Sequence, residues 1–120
     1  MMRVLIVDDD ETIRRLLRVT LPERGAEIVE ARDGQEALDL TGDTVPDLVL
    51  LDWNMPKRSG GEVLATLKRW RPDVKVIVLT ADHRAEFRAE AEGLGVDLFL
   101  TKPFSPLELL AAIEELLPDI

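Results

Sequence analysis

The chain has no cysteine and no tyrosine, one histidine, and few aromatic residues, two Trp and three Phe. Without cysteine it can form neither a disulfide nor a thiolate metal site. The lone histidine, His83, lies between Asp82 and Arg84. That setting reads as a solvated residue near the start of a helix rather than a phosphohistidine carrier. No N-terminal apolar stretch has the length of a signal peptide or a membrane span; the run Val4–Val7 is strand-sized. A cytoplasmic location with no membrane contact is therefore expected. Basic residues are also short in number, 15 Lys+Arg against 24 Asp+Glu, a formal charge of −9. A surface of that sign repels phosphate backbones, so direct nucleic-acid binding by this domain is not expected. There is no repeat and no low-complexity linker, and 120 residues suit one domain.

What is present is an alternation of short apolar runs with helical periodicity. Arg3–Val7, Ala26–Ala31, Leu48–Leu51, Val74–Leu79 and Asp97–Leu100 are too brief for helices and rich in branched residues, so they predict five strands. Between them, Ile13, Leu16, Leu17 and Leu21 form one helical stripe expected to face inward. Ala37, Leu38, Leu64, Leu67 and Ile113, Leu116, Leu117 mark others. Three helix starts carry a capping pattern: Asp33-x-x-Glu36, Ser59-x-x-Glu62 and Ser105-x-x-Glu108, the last with Pro106 at the first helical position. Strands alternating with helices imply right-handed crossovers and a doubly wound α/β fold, a five-stranded parallel sheet with helices on both faces.

In such a sheet, ligands bind at the carboxyl ends of the strands near the topological switch point. Asp8, Asp9 and Asp10 follow the first predicted strand, Asp52 the third, Thr80 the fourth and Lys102 the fifth. Singly, each has an ordinary reading: Asp10 as a helix N-cap, Thr80 as a strand-end residue, Lys102 as a surface lysine. Together they converge on one sheet edge. Crowded carboxylates repel one another, and their hard oxygens suit Mg²⁺, which takes one or two carboxylates plus waters and phosphate oxygens. Lys102 and Thr80 can bind phosphoryl oxygens, and a carboxylate so flanked is a fit phosphoryl acceptor.

The segments Val4 to Asp10 (VLIVDDD), Asp47 to Pro56 (DLVLLDWNMP) followed by Gly60, Val76 to Ala81 (VIVLTA) and Leu100 to Phe104 (LTKPF) carry a resemblance. They resemble, in order and spacing, the signature segments of response-regulator receiver domains of the CheY-like superfamily, across almost the whole chain. The resemblance implies a CheY-like, flavodoxin-like fold and a phosphorylation-dependent signalling switch rather than an enzyme acting on a separate substrate. It implies Asp52 as phosphoacceptor, with Asp8 and Asp9 as the acidic pair for Mg²⁺, Mn²⁺ being a substitute. The main-chain carbonyl of Asn54 completes the implied metal site. Thr80 is the implied hydroxyl switch residue, Phe99 its aromatic partner, and Lys102 the phosphate-binding lysine before Pro103, whose preceding peptide is cis in many relatives. The implied partners are a histidine kinase or a histidine phosphotransfer protein in a phosphorelay. An output domain or a second copy would bind through the fourth helix, fifth strand and fifth helix. One receiver domain over 1–120 is expected, free-standing or the N-terminal part of a longer regulator.

Two features depart from the family pattern: Trp53 follows the acceptor where smaller residues are usual, and Gly61 adds a second glycine to a helix start. Gly61 is expected to let that helix fray, and Trp53 is a candidate for the site rim. Arg84–Glu92, with Phe87 its only large apolar residue, is expected to be a weakly anchored helix able to move in a switch. Arg14, Arg15 and Phe104 are expected at the kinase-docking surface. A haloacid-dehalogenase-type phosphatase shares the Asp, Thr, Lys and Mg²⁺ set, but its nucleophile follows the first strand, which would leave Asp52 and Lys102-Pro103 without a role. A pseudo-receiver that keeps the fold without phosphorylation is the third reading, against which the complete acidic set argues.

Overall fold

A computed structural model describes residues 2–21, 26–55, 59–81 and 85–117; His83 lies outside them. Strands and helices alternate throughout: β1 Met2–Val7, α1 Glu11–Thr20, β2 Ala26–Ala31, α2 Gly34–Asp43, β3 Leu48–Asp52, α3 Gly60–Trp70, β4 Lys75–Thr80, α4 Ala85–Gly93, β5 Leu98–Thr101 and α5 Pro106–Leu116. All strand pairs are parallel, in the order β2-β1-β3-β4-β5. The chain runs outward from β1 to β2 and returns to β3 on the other side, so the topological switch point falls between β1 and β3.

β1, β3 and β4 are apolar at almost every position because helices cover both faces. Val49, Leu51, Val76 and Val78 face α2, α3 and α4 with Ala37, Leu64, Leu67 and Phe87. Leu48, Leu50, Ile77 and Leu79 face α1 and α5 with Leu17, Leu109 and Ile113. Side chains alternate faces along each strand, and the register sets the ends of the central strands level, with Val7 opposite Leu51, Asp52 opposite Leu79 and Thr80 opposite Thr101.

The caps fix where helices begin. Asp10 accepts hydrogen bonds from the Thr12 and Ile13 N–H groups, Asp33 from Glu36 N–H and Ser59 from Glu62 N–H. Ser105 and Glu108 form the complete reciprocal box. Glu36 reaches back instead to the Arg32 N–H at 3.0 Å, one residue before its cap. In α1 the inward stripe is Ile13, Leu17 and Leu21; Leu16, expected on it, is 38% exposed because it sits about 100° around the helix from Leu17. Strand boundaries shift slightly from expectation. β4 and β5 each start one residue later than predicted, and Asp97 stands before β5 with its Oδ2 accepting from Val76 N–H and Lys68 Nζ, both at 2.8 Å. The Lys68–Asp97 pair and the Lys68 donation to Val74 O (2.7 Å) tie the end of α3 to the starts of β4 and β5.

Trp53 packs over both glycines at the start of α3. The Trp53 indole is half-buried over the first turn of α3, packs edge-on to Phe87 (ring centroids 4.6 Å apart), and Phe87 in turn packs edge-on to Phe99 (5.7 Å). Trp53 thus engages α3 and α4 rather than standing as a bare rim, and α4 is anchored by buried Phe87 and Ala91. A Cβ on Gly60 would lie 2.7 Å from Trp53 Cα and 2.8 Å from its carbonyl oxygen, which already accepts the Gly60 N–H at 3.1 Å. A Cβ on Gly61 would meet only side-chain ends, Glu90 Oε1 at 3.3 Å and the indole at 3.4 Å. Gly60→Ala is therefore expected to destabilise the domain by roughly 2 kcal/mol or more, because backbone must move. Gly61→Ala is expected within about 1 kcal/mol of the parent, since gained helix propensity offsets the tight contact. Urea unfolding of both variants checks this; equal losses would contradict the backbone-approach explanation.

Candidate functional site

The site forms because β1, β3 and β5 end within about two residues of one another in register, Asp52 being the last residue of β3 while Asp8 and Lys102 follow β1 and β5. One carboxylate oxygen from each of Asp8, Asp9 and Asp52 lies within 4.8 Å of the others. Asp8 and Asp52 are buried and Asp9 is exposed. Lys102 Nζ reaches in from the end of β5, 3.2 Å from Asp8 Oδ2 and 3.3 Å from Asp52 Oδ1. The Lys102 N–H donates to Thr80 O at 2.8 Å, holding this loop to β4, and the Lys102–Pro103 peptide is cis, as the resemblance implied. Thr80 is buried at the end of β4. Asn54 follows Asp52 by two residues, and its N–H approaches Asp52 Oδ1 at 3.4 Å.

Asp8 is held at every polar group. Its N–H donates to Ala31 O (3.1 Å), its Oδ1 accepts the Asp10 N–H (2.9 Å), and its main-chain carbonyl accepts Arg14 Nη1 (2.9 Å). Asp10, by contrast, is the α1 N-cap, the structural role expected of it.

Burial, and next the charge of Asp8, push the Asp52 carboxyl up from 3.8 to about 6; Lys102 and the Asn54 N–H pull the other way. For Lys102, burial disfavours the ammonium, but the charges and hydrogen bonds of Asp52 and Asp8 outweigh it and raise the pKa, so the group stays protonated. Three carboxylates against one ammonium leave the cluster net negative. Hard anionic oxygens converging on one point, two of them buried, are the donor set that a hard divalent cation takes. The residues present fit Mg²⁺.

Of the residues singled out, Asp8, Asp9, Asp52 and Lys102 come together, Thr80 ends the neighbouring strand β4 with its carbonyl bonded to the Lys102 N–H, Asp10 caps α1, and Phe99 stands apart. Phe99 lies one layer away on β5, half-buried against Phe87 with the Arg88 guanidinium 4.9 Å over its ring. The docking expectation needs correction at Arg14: its side chain is 12% exposed and turned inward, bonded to Asp8 O and Glu30, whereas Arg15 is 76% exposed. Phe104 is half-buried among the α1 and α5 side chains. Sequence reasoning did not mark Glu30 or the inward turn of Arg14. The available signal was Arg14 and Arg18, four apart, flanking the Ile13–Leu17–Leu21 stripe opposite an acidic residue in an otherwise apolar strand end.

The response regulator receiver domain family matches residues 4–114. The phosphate regulon transcriptional regulatory protein PhoB of Pseudomonas aeruginosa is 40% identical over 116 residues, 95% of this chain and 51% of that protein. The response regulator MprA of Mycolicibacterium vanbaalenii is 42% identical over 115 residues, covering 96% and 50%. The chain spans about half the length of the curated relatives it matches. Among solved structures, the chemotaxis protein CheY4 of Vibrio cholerae superposes with a TM-score of 0.90 at 32% identity over 98% of this chain and 99% of that one. The haloacid-dehalogenase reading gains no support from the family match or these relatives. With a CheY-like sheet and the family match running nearly end to end, the chain belongs to the response regulator receiver domain family, the phosphorylation-dependent switches of two-component signalling.

Proposed function

We propose that this domain accepts a phosphoryl group on Asp52 from a histidine kinase or histidine phosphotransfer protein, at a Mg²⁺ site made by Asp8, Asp9, Asp52 and the main-chain carbonyl of Asn54. The observation that carries the reading is the convergence of the three carboxylates within 4.8 Å, with Lys102 Nζ 3.2 and 3.3 Å from two of them. The Asp52 carboxylate attacks phosphorus; an O–P bond forms as the P–N bond to the donor imidazole breaks, and the imidazole recovers a proton from solvent. Lys102 exchanges its contact with Asp52 for a phosphoryl oxygen, and the Thr80 hydroxyl donates to another. When bound, the cation neutralises charge on the transferring group. The same residues assist loss of the phosphoryl group to water, so the domain promotes its own phosphorylation and dephosphorylation without a separate substrate.

The output follows from packing. Drawing the Thr80 hydroxyl toward a phosphoryl group vacates space beside Phe99, and movement of that ring disturbs Phe87 and hence α4. The face of α4, β5 and α5 is where an output domain or a second copy engages, in a single receiver unit that works alone or joined to a further domain. A cytoplasmic location suits such a donor; no helix among the described residues is long and apolar enough to cross a membrane.

Acetyl phosphate with Mg²⁺ is expected to label the chain to no more than one phosphoryl group at any time, with labelling lost in EDTA and in Asp52→Asn. Occupancy above one group per chain, or undiminished labelling of Asp52→Asn, would contradict the reading. In the same assay Thr80→Ala is expected to take label while the amide resonances of residues 85–100 barely shift; a full response there would remove Thr80 from the switch. A stability measurement tests the cost of burying the Asp52 charge beside Asp8. Because the folded-state pKa of Asp52 is raised, its contribution to stability is complete below the unfolded value near 3.8 and is lost as pH rises through about 6. In EDTA, Asp52→Asn is therefore expected to be more stable than the parent at pH 8, by at most about 3 kcal/mol, with the difference vanishing near pH 4. Urea unfolding across that range checks the sign; a variant less stable at pH 8 would contradict it.

A further inference from the structure

We propose that Arg14 is a positioning residue for the cation site: by clamping the peptide between Asp8 and Asp9, it sets the direction in which Asp9 presents its carboxylate. The proposal rests on the reading of the acidic cluster given above.

Both peptide units that flank Asp9 are pinned. On one side, Arg14 Nη1 donates to Asp8 O at 2.9 Å, and since a peptide is planar, fixing that carbonyl fixes the Asp9 nitrogen with it. On the other, the Asp10 N–H donates to Asp8 Oδ1 at 2.9 Å. The Arg14 guanidinium is itself held, its Nε donating to Glu30 Oε1 at 3.2 Å, and its side chain is only 12% exposed. Glu30 is steadied in turn by Arg18, whose Nε donates to Oε2 at 2.9 Å and whose Nη2 reaches Ile28 O at 3.3 Å. A chain of oriented groups thus runs from β2 through α1 to the turn that carries the acidic pair. The planar fork of arginine makes two bonds in fixed directions, which a lysine ammonium cannot reproduce.

Charge and positioning make opposite predictions here. A cation beside a divalent-metal site opposes metal binding through Coulomb repulsion, so as a mere charge Arg14 would weaken affinity and its removal would tighten it. As a clamp its removal weakens affinity, as loss of groups that orient metal ligands does, by roughly 10- to 100-fold. Arg14→Lys keeps the charge and loses the fork; Arg14→Met loses both while keeping the apolar stem.

Calorimetric Mg²⁺ titration of the parent, both variants and Glu30→Gln, alongside thermal unfolding of each in EDTA, decides between them. The expected result is a dissociation constant roughly 10-fold or more higher in Arg14→Lys and Arg14→Met, with a smaller rise in Glu30→Gln, where the guanidinium keeps its bond to Asp8. Affinity in Arg14→Lys or Arg14→Met equal to or tighter than the parent's overturns the assignment, as does a lowered unfolding temperature with unchanged affinity. If Arg14→Met does not fold, Arg14→Lys and Glu30→Gln carry the decision. A parent that binds no Mg²⁺ overturns the cation-site reading itself, whereas a parent that binds with variants that match it overturns only the role of Arg14.

Discussion

The contact of Lys102 with the buried carboxylates of Asp8 and Asp52 is the interaction on which the rest of the site depends. The three acids repel one another, most strongly the buried pair Asp8 and Asp52. One ammonium in contact with two of them offsets the repulsion only in part. Burial first, and next the charge of Asp8, hold the Asp52 pKa raised in spite of Lys102. A divalent cation relieves the repulsion and a phosphoryl group rearranges it, so the folded domain without either holds a charge arrangement whose free energy depends on what binds. That dependence is what a switch requires.

The parallel sheet makes the imbalance tolerable. β1 and β3 are neighbours at the topological switch point, so Asp8 and Asp52 meet by backbone register rather than by flexible loops. Two cores, one on each face, supply the burial that keeps the strand ends level while the edge carries like charges. On one side of the cluster, Arg14 and Glu30 brace the turn that bears Asp8 and Asp9. On the other, Trp53 leans on the glycines of α3 and touches Phe87, which touches Phe99. A change at Asp52 therefore has a packed route toward α4 and β5 beginning at the next residue in the chain.

The strands and the site were legible because their signals are local. Apolar runs bounded by polar residues marked every strand to within a residue or two, and Asp10, Asp33, Ser59 and Ser105 each cap the helix that their side chains announced. The parallel topology then carried Asp8, Asp9, Asp52, Thr80 and Lys102 to one edge without any knowledge of side-chain contacts. What was not legible depends on which neighbours approach. Leu16 matches Leu17 in composition, but only the side facing the sheet is covered. Arg14 looks like a surface arginine of α1 until β2 brings Glu30 alongside it. Trp53 and Gly61 look like two separate oddities until α3 packs beneath the indole, where it is Gly60 that the Trp53 backbone requires while Gly61 meets only side-chain ends.

The central claim is that Asp52, and not its neighbours Asp8 and Asp9, carries the phosphoryl group. Borohydride reduces an aspartyl phosphate to homoserine, so chain treated with acetyl phosphate and Mg²⁺, reduced and digested, reports the acceptor by the mass of the modified peptide. Homoserine at position 52 alone is the predicted result; homoserine at position 8 or 9, with Asp52 intact, would contradict it.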